Sequence, residues 1–256
     1  NPDGLIATQP ADSDVMVNLI NGLRQLEAAE FVSDAPSATA LEEEYGLTDP
    51  QWALTLTTNN QTLRLEIGEI YRRANEQLLL YARRDNSSTV YGLDQRILSL
   101  LHIDPLYYRD RRLRVLPSGA KIVSMRIENL ETEAMILDAS INPEEESWAD
   151  KLDTLDLNPQ ERDGLIDLRR ELRTVEVAGY LVDSFTRNYL EEEEKVVPWR
   201  FRLQVEILLT GGETNQREVE NYFLTERLSG NFVAGGSPEF DLVFRLHQEM
   251  IQALHP

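Results

Sequence analysis

The spacing of hydrophobic positions changes along the chain, and each change predicts an element. Val15, Leu19, Leu23 and Leu26 recur at helical intervals, with Met16 and Ile20 widening the stripe, and Ala11-Asp12-Ser13-Asp14 supplies capping side chains ahead of it. A helix is expected over 13–26. Residues 28–32 read as a strand and 37–44 as a short helix that closes at Tyr45-Gly46, where glycine takes the left-handed conformation. From Trp52 the period becomes two. Trp52, Leu54 and Leu56 share one strand face and Leu63, Leu65 and Ile67 share another, with Asn59-Asn60 as the turn. A second pair of strands, 78–83 and 89–93, spans Arg84-Asp85-Asn86-Ser87, and 94–101 turns helical.

Strand alternation returns over 121–129 and 134–139, before an acidic connection over 142–157. Asn158-Pro159-Gln160-Glu161 then starts a helix, with Asn as cap and Pro at the first helical position, and Leu165, Leu168 and Leu172 face inward. A strand over 176–183 leads to the acidic run Glu191 to Glu194 and to Pro198-Trp199, an echo of Pro50-Gln51-Trp52. Phe201, Leu203, Val205 and Ile207 alternate with polar residues, Gly211-Gly212 makes a turn, and 218–224 returns. The strands 230–234 and 239–244 bracket Gly235-Gly236-Ser237-Pro238 as their turn, and 245–254 forms the last helix. At the other end, Asn1-Pro2-Asp3-Gly4 is turn chemistry and 5–8 a short strand. Helix, strand, antiparallel hairpins and helix thus occur twice, at an offset of about 150 residues. The expected fold class is α+β with two structurally similar repeats, 1–115 and 158–256, joined by a strand pair and acidic connection over 116–157.

Composition changes this picture mainly through charge. Of 256 residues, 41% are hydrophobic and 27% charged, but 45 acidic side chains against 25 basic ones give a formal net charge of −20. That field repels phosphate backbones and anionic headgroups, so no nucleic-acid partner is expected. The chain has no cysteine, which removes disulfides, thiolate catalysis and thiolate metal sites. No run approaches the roughly 20 apolar residues that cross a bilayer. Because the chain opens at Asn1 without a Met, an upstream segment, a membrane anchor included, is expected to be missing.

The search for chemistry yields no catalytic, cofactor or metal site. His102, His247 and His255 are scattered, and neither a His-Glu-x-x-His nor a calcium-loop pattern occurs. A Gly-x-Ser-x-Gly elbow and a phosphate-binding loop ending in Lys-Ser/Thr are also absent. Glu42-Glu43-Glu44 reads as a solvated face. Against the acidic background one stretch is basic and aromatic: Tyr107, Tyr108, Arg109, Arg111 and Arg112, part of a segment in which five of the 25 basic residues fall between Arg109 and Lys121. These five are the candidate partner-docking residues. The competing reading is that Arg109, Arg111 and Arg112 pair with acidic neighbours inside the protein, Asp110 among them.

Several stretches together resemble a known family. They are Asp3-Gly4 through Pro10 and Ala11-Asp12, Ala28-Ala29-Glu30-Phe31-Val32, Tyr45-Gly46-Leu47-Thr48-Asp49-Pro50, Leu63-Arg64-Leu65-Glu66-Ile67-Gly68, Tyr81-Ala82-Arg83, Val90-Tyr91 and Tyr108-Arg109-Asp110-Arg111. In that order the chain resembles the bacterial domain-of-unknown-function family 4340, over roughly residues 3–113 and weakly beyond; an aromatic residue usual after the opening glycine is Leu5 here. The resemblance implies an N-terminal membrane helix, an extracytoplasmic or periplasmic body, and genes beside ABC-transporter components of the gliding-motility type. The partners it implies are membrane-complex proteins such as ABC-transporter subunits. The expected function is therefore a non-enzymatic extracytoplasmic interaction domain. The alternative is a small-molecule or glycan-binding module using Trp52, Trp148 or Trp199, and a carboxylate-based enzyme stands third.

Overall fold

The apolar stripe of the first predicted helix forms α1 (Ser13–Arg24), which precedes β1 (Ala28–Ser33). The computed structural model describes residues 10–85, 87–190, 196–210, 215–228 and 232–254. The chain divides into two units: Ser13–Ile103, and the described residues before Ser13 together with those from Asp104 onward.

In the Ser13–Ile103 unit, β1 joins β2 (Trp52–Thr57), β3 (Thr62–Arg72), β4 (Leu78–Arg84) and β5 (Val90–Asp94) in an antiparallel sheet ordered β1-β5-β4-β3-β2. Trp52 stands opposite Ile67, Leu54 opposite Leu65 and Leu56 opposite Leu63, the register their alternation predicts. One face packs Ile67, Leu80, Ala82 and Leu93 under Leu19, Leu23 and Leu26. On a second core Tyr45, Leu47 and Val90 pack with Leu41 and Tyr81. Two predicted helices depart from α geometry. The helix expected over 37–44 forms over 38–44, and its Ala40–Glu44 part is a wide π turn in which the Tyr45 N–H donates to the Ala40 carbonyl, delivering Tyr45 to the sheet. Gln95–Leu100 is a 3-10 helix whose Asp94 cap accepts from the Arg96 N–H and turns Ile97 onto the core.

The second unit holds β6 (Arg112–Val115), β7 (Lys121–Asn129), β8 (Ala134–Ser140), α2 (Trp148–Thr154), α3 (Pro159–Glu171), β9 (Thr174–Val182), β10 (Asn188–Leu190), β11 (Val196–Pro198), β12 (Phe201–Leu209), β13 (Gln216–Leu224), β14 (Ala234–Ser237), β15 (Leu242–Leu246) and α4 (Gln248–Leu254). Its main sheet runs β6-β9-β15-β14-β13-β12-β7-β8, and β10 pairs with β11 separately. Met125, Leu203, Val205, Ile207 and Phe244 form its core with Leu168 of α3 and Met250 and Ile251 of α4.

The expected α+β class is corrected by these sheets. Fifteen strands, all antiparallel, carry the described residues, against four α-helices of which two have seven residues. The strand pair β7 and β8, expected to stand in a connection, extends the large sheet: Ile127 pairs with Leu203 and Met125 with Val205. β6 adds a strand at the other end. What recurs is therefore a strand connectivity, β1-β5-β4-β3-β2 and β9-β15-β14-β13-β12, set in sheets of five and eight strands that dominate both units.

Other departures are local. Gly235-Gly236-Ser237 is strand β14 and not a turn, because aromatic rings pack directly onto it. A Cβ on Gly235 would lie 2.5 Å from the Phe244 ring and one on Gly236 2.8 Å from Trp199. The turn moves to 238–241, where Asp241 takes a φ of 50°. The acidic 142–157 stretch contains α2, whose Ser147 cap and Asp150 exchange hydrogen bonds. The readings at Asn1-Pro2-Asp3-Gly4, residues 5–8, Asn86, Glu191 to Glu194, Gly211-Gly212, Gly230 and His255 lie outside the described residues. Among those described, no helix is long and apolar enough to cross a membrane.

Candidate functional site

The Tyr107 to Arg112 segment begins in a 3-10 turn, Pro105–Tyr108, capped by Asp104. It is laced to the residues just before α1. The Asp12 N–H donates to the Tyr108 carbonyl at 2.8 Å, and the Asp110 N–H donates to the Pro10 carbonyl at 2.9 Å. The Arg109 guanidinium lies 4.8 Å from the centre of the Tyr180 ring, and the Tyr180 hydroxyl donates to the Asp110 carbonyl at 2.6 Å. Arg112 grips Asp110 with Nε at 3.1 Å and Nη2 at 2.6 Å. Those side-chain bonds and the Arg112 backbone N–H hold the Asp110 carboxyl below the usual range. Arg111 lies 3.7 Å from Asp12, and Tyr107 and Tyr108 meet edge to face at 5.3 Å. These contacts favour internal pairing for the arginines, while Tyr107 stays exposed.

The tryptophans are packing residues first. Trp148 and Trp199 are buried and donate their indole N–H groups to the carbonyls of Ile122 and Thr186. Trp52 packs against the core beneath α1. His247 pairs with Glu249 at the surface, and Glu42, Glu43 and Glu44 are exposed. Among the described residues no group of three His, Asp or Glu side chains is placed to hold a metal ion.

Two buried glutamates escaped the sequence reading. Glu66 on β3 receives Arg64 at 3.0 Å and Arg83 at 2.5 Å. Burial pushes its carboxyl up, but the hydrogen bonds and charges of Arg83 and Arg64 outweigh that and hold it low. Glu220 on β13 accepts from the Tyr222 hydroxyl at 2.7 Å, with Arg114 Nε 2.9 Å away. That Arg114 Nε is buried and its N–H makes no hydrogen bond. Burial, reinforced by the charges of Glu218 and Glu239, raises the Glu220 carboxyl above its usual value. The signal was available: Glu220 alternates in step with Tyr222 and Leu224, on the face that turns inward.

An exposed apolar surface of the second unit lies at β8. This strand ends the large sheet and pairs only with β7 among the described residues. An irregularity sets Leu137 opposite Ile127 but Met135 opposite Glu128. Met135 and Ile136 are 53% and 58% exposed. Beside them lies a cleft of about 260 Å³ lined by Ile127, Ile136, Phe201, Leu224, Val233 and Leu254, with Thr225 its one polar lining residue.

The family model for the domain of unknown function DUF4340 matches residues 7–194. The chain belongs to this family. No curated protein and no solved structure matches it. The match runs well past residue 113, where the sequence resemblance fades.

Within the DUF4340 match, the stretches that carry the resemblance meet as architecture. Tyr45-Gly46-Leu47 crosses β3 so closely that a Cβ on Gly68 would sit 1.9 Å from the Tyr45 carbonyl oxygen, and Gly46 has a φ of 60°. That oxygen accepts the Glu69 N–H at 2.9 Å. Arg83 then joins three of the stretches by reaching both Glu66 and, at 2.9 Å, the Leu47 carbonyl. Tyr108-Arg109-Asp110 in turn braces Pro10-Ala11-Asp12.

Proposed function

We propose that this DUF4340 chain is a non-enzymatic extracytoplasmic interaction domain, an accessory component of an ABC-transporter or gliding-motility-like membrane complex. The observation that carries the reading is the β8 edge. It offers unpaired backbone donors and acceptors, exposed Met135 and Ile136, and an adjacent apolar cleft, the combination by which a partner strand adds to a sheet while its side chains fill a pocket. Arg126 and Asp138, paired across β7 and β8 at 2.9 Å, add charge beside that edge and disfavour pairing with arbitrary strands. The type of partner rests on what the family resemblance implies. The Tyr107 to Arg112 segment acts as an internal brace in this proposal, and Tyr107 is its remaining contact surface.

The test is crosslinking of the full-length protein in its native host, with mass spectrometry of what co-purifies. Transporter subunits are expected in the wild-type sample and severalfold less of them with Met135→Asp and Ile136→Asp, changes at exposed positions that the fold tolerates. Recovery of the protein alone overturns the accessory-subunit reading. Undiminished capture by both variants removes the β8 edge from it.

A further inference from the structure

Around Trp148 the second unit forms another concave surface, independent of β8 and of the buried glutamates. It measures about 530 Å³, inside the range of roughly 300–1,000 Å³ typical of small-molecule sites. Its floor is apolar, built from Ile122, Ile141, Trp148 and Ile166. Backbone carbonyls hold the walls in place. The Trp148 indole donates to Ile122 at 2.6 Å, the Ile141 N–H donates to Val123 at 2.9 Å, and Arg173 Nη1 donates to Ala120 at 3.1 Å.

The rim has the opposite sign to the rest of the chain. Lys121, Arg169, Arg170 and Arg173 line the cleft against one carboxylate, Glu146. Elsewhere Arg109 and Arg245 lie over the rings of Tyr180 and Phe232, but many arginines take carboxylates, as Arg83 has Glu66, Arg112 has Asp110 and Arg126 has Asp138. Here only Arg170 does, with Asp167 at 2.7 Å and Glu171 at 3.2 Å. Among the described residues Lys121, Arg169 and Arg173 have no carboxylate partner, although acidic side chains outnumber basic ones 45 to 25. The favourable field at a helix C-terminus accounts for Arg169 in the last turn of α3. It does not account for Lys121, which comes from β7, or for the approach of all three to one apolar floor.

We propose that this cleft binds a small amphiphilic anion, its apolar body on the Ile122, Trp148 and Ile166 floor and its carboxylate or phosphate held by Lys121, Arg169 and Arg173. Neither half of the site suffices alone. Apolar contact supplies affinity without orientation, and exposed cations in water bind a lone anion weakly, whereas a charge-assisted hydrogen bond beside a desolvated floor adds both.

Calorimetry and two-dimensional NMR on the whole chain test this with four probes: octanoate, octyl phosphate, octanol and inorganic phosphate. Saturable binding of octanoate or octyl phosphate is expected, with a shift of the Trp148 indole N–H signal and at least about tenfold weaker binding of octanol and inorganic phosphate. The tighter of the two amphiphiles identifies the head group. Lys121→Gln and Arg169→Gln, both at the rim, are each expected to weaken it by about tenfold while the unfolding midpoint stays in place. The proposal is overturned if octanol binds as tightly as its anionic counterparts, if neither anion binds, or if both variants bind them unchanged. Met135→Asp and Ile136→Asp are expected to leave this binding intact, so failure here and failure of the docking reading are separable.

Discussion

Glu66 in the five-stranded sheet and Glu220 in the eight-stranded sheet are buried alike, 4% and 6% exposed, each on the second strand of a long hairpin and each beside an arginine. They titrate in opposite directions. Burial raises both, but Glu220 lies deeper inside its unit than Glu66 does, so the difference lies in depth as well as in the donors. Glu66 has one guanidinium on each oxygen, at 3.0 and 2.5 Å. Glu220 has a neutral hydroxyl and an arginine whose nearest N–H points away, with two further carboxylates close by. Proximity of opposite charge is therefore not enough to keep a buried carboxylate ionised. Depth of burial and hydrogen bonds aimed at its lone pairs decide the outcome together.

The largest effect that sharpens this contrast is expected from Arg83→Met. It leaves Glu66 half paired and removes the donor to the Leu47 carbonyl, at a cost of about 3 kcal/mol to the Ser13–Ile103 unit. Arg114→Met at pH 6 is expected to cost its own unit only about 1 kcal/mol, because Glu220 can take up a proton and keep its bond to Tyr222. Urea unfolding with hydrogen exchange at β3 and β13 amides measures both. Equal losses break the comparison.

The next effect is a difference in pH response. Glu66 has a folded value below its unfolded one, so its contribution is present above the ordinary glutamate range and is lost as pH falls through the folded value. Glu220 is raised, so its contribution is present below the ordinary range and is lost as pH rises through the folded value. Glu66→Gln is thus expected to destabilise by about 2 kcal/mol at pH 7, the loss shrinking on acidification. Glu220→Gln, which mimics the neutral acid, is expected to lie within about 1 kcal/mol of wild type at pH 5 and to gain on it toward pH 8. Stability measured from pH 4 to 8 is expected to show both variants nearest wild type at the acid end and parting from it in opposite directions as pH rises; parting in the same direction breaks the comparison.

The same contrast marks what could be read in advance. The hairpin register of Trp52, Leu54 and Leu56 against Ile67, Leu65 and Leu63 follows from period-two spacing, and so does the β12 alternation, because both depend on one strand and its neighbour. The class did not follow, since β7 pairs with β12 across some 80 residues and nothing in either strand names that partner. Gly235-Gly236 read as a turn because glycine serves turns and ring contacts equally well, and only the Phe244 and Trp199 rings distinguish them. The arginines of the Tyr107 to Arg112 segment were visible as a cluster. Their partners were not: Arg112 takes Asp110 within the segment, but Arg111 takes Asp12 about 100 residues earlier and Arg109 the Tyr180 ring about 70 residues later. Lys121 closes the basic segment visible in the sequence, but nothing in the sequence sets it beside Arg169 and Arg173, and the fold brings all three to one cleft.

The smallest effect isolates the hydroxyl. Tyr222 is itself buried, with its own ionisation pushed well above the ordinary value by burial and by Glu220, so it acts on Glu220 as a neutral donor at any pH the fold survives. Its hydrogen bond favours the ionised carboxylate and opposes the burial that raises it. Tyr222→Phe should therefore move the Glu220 titration still higher, at a stability cost of about 1 kcal/mol. Carboxyl NMR titration reads the shift directly. A downward movement would mean that the hydroxyl accepts from a protonated Glu220, in which case burial alone sets the glutamate and the contrast with Glu66 rests on Arg64 and Arg83 only. An upward movement shows that the hydroxyl holds the ionised form against burial, a weaker version of what two guanidinium groups do at Glu66.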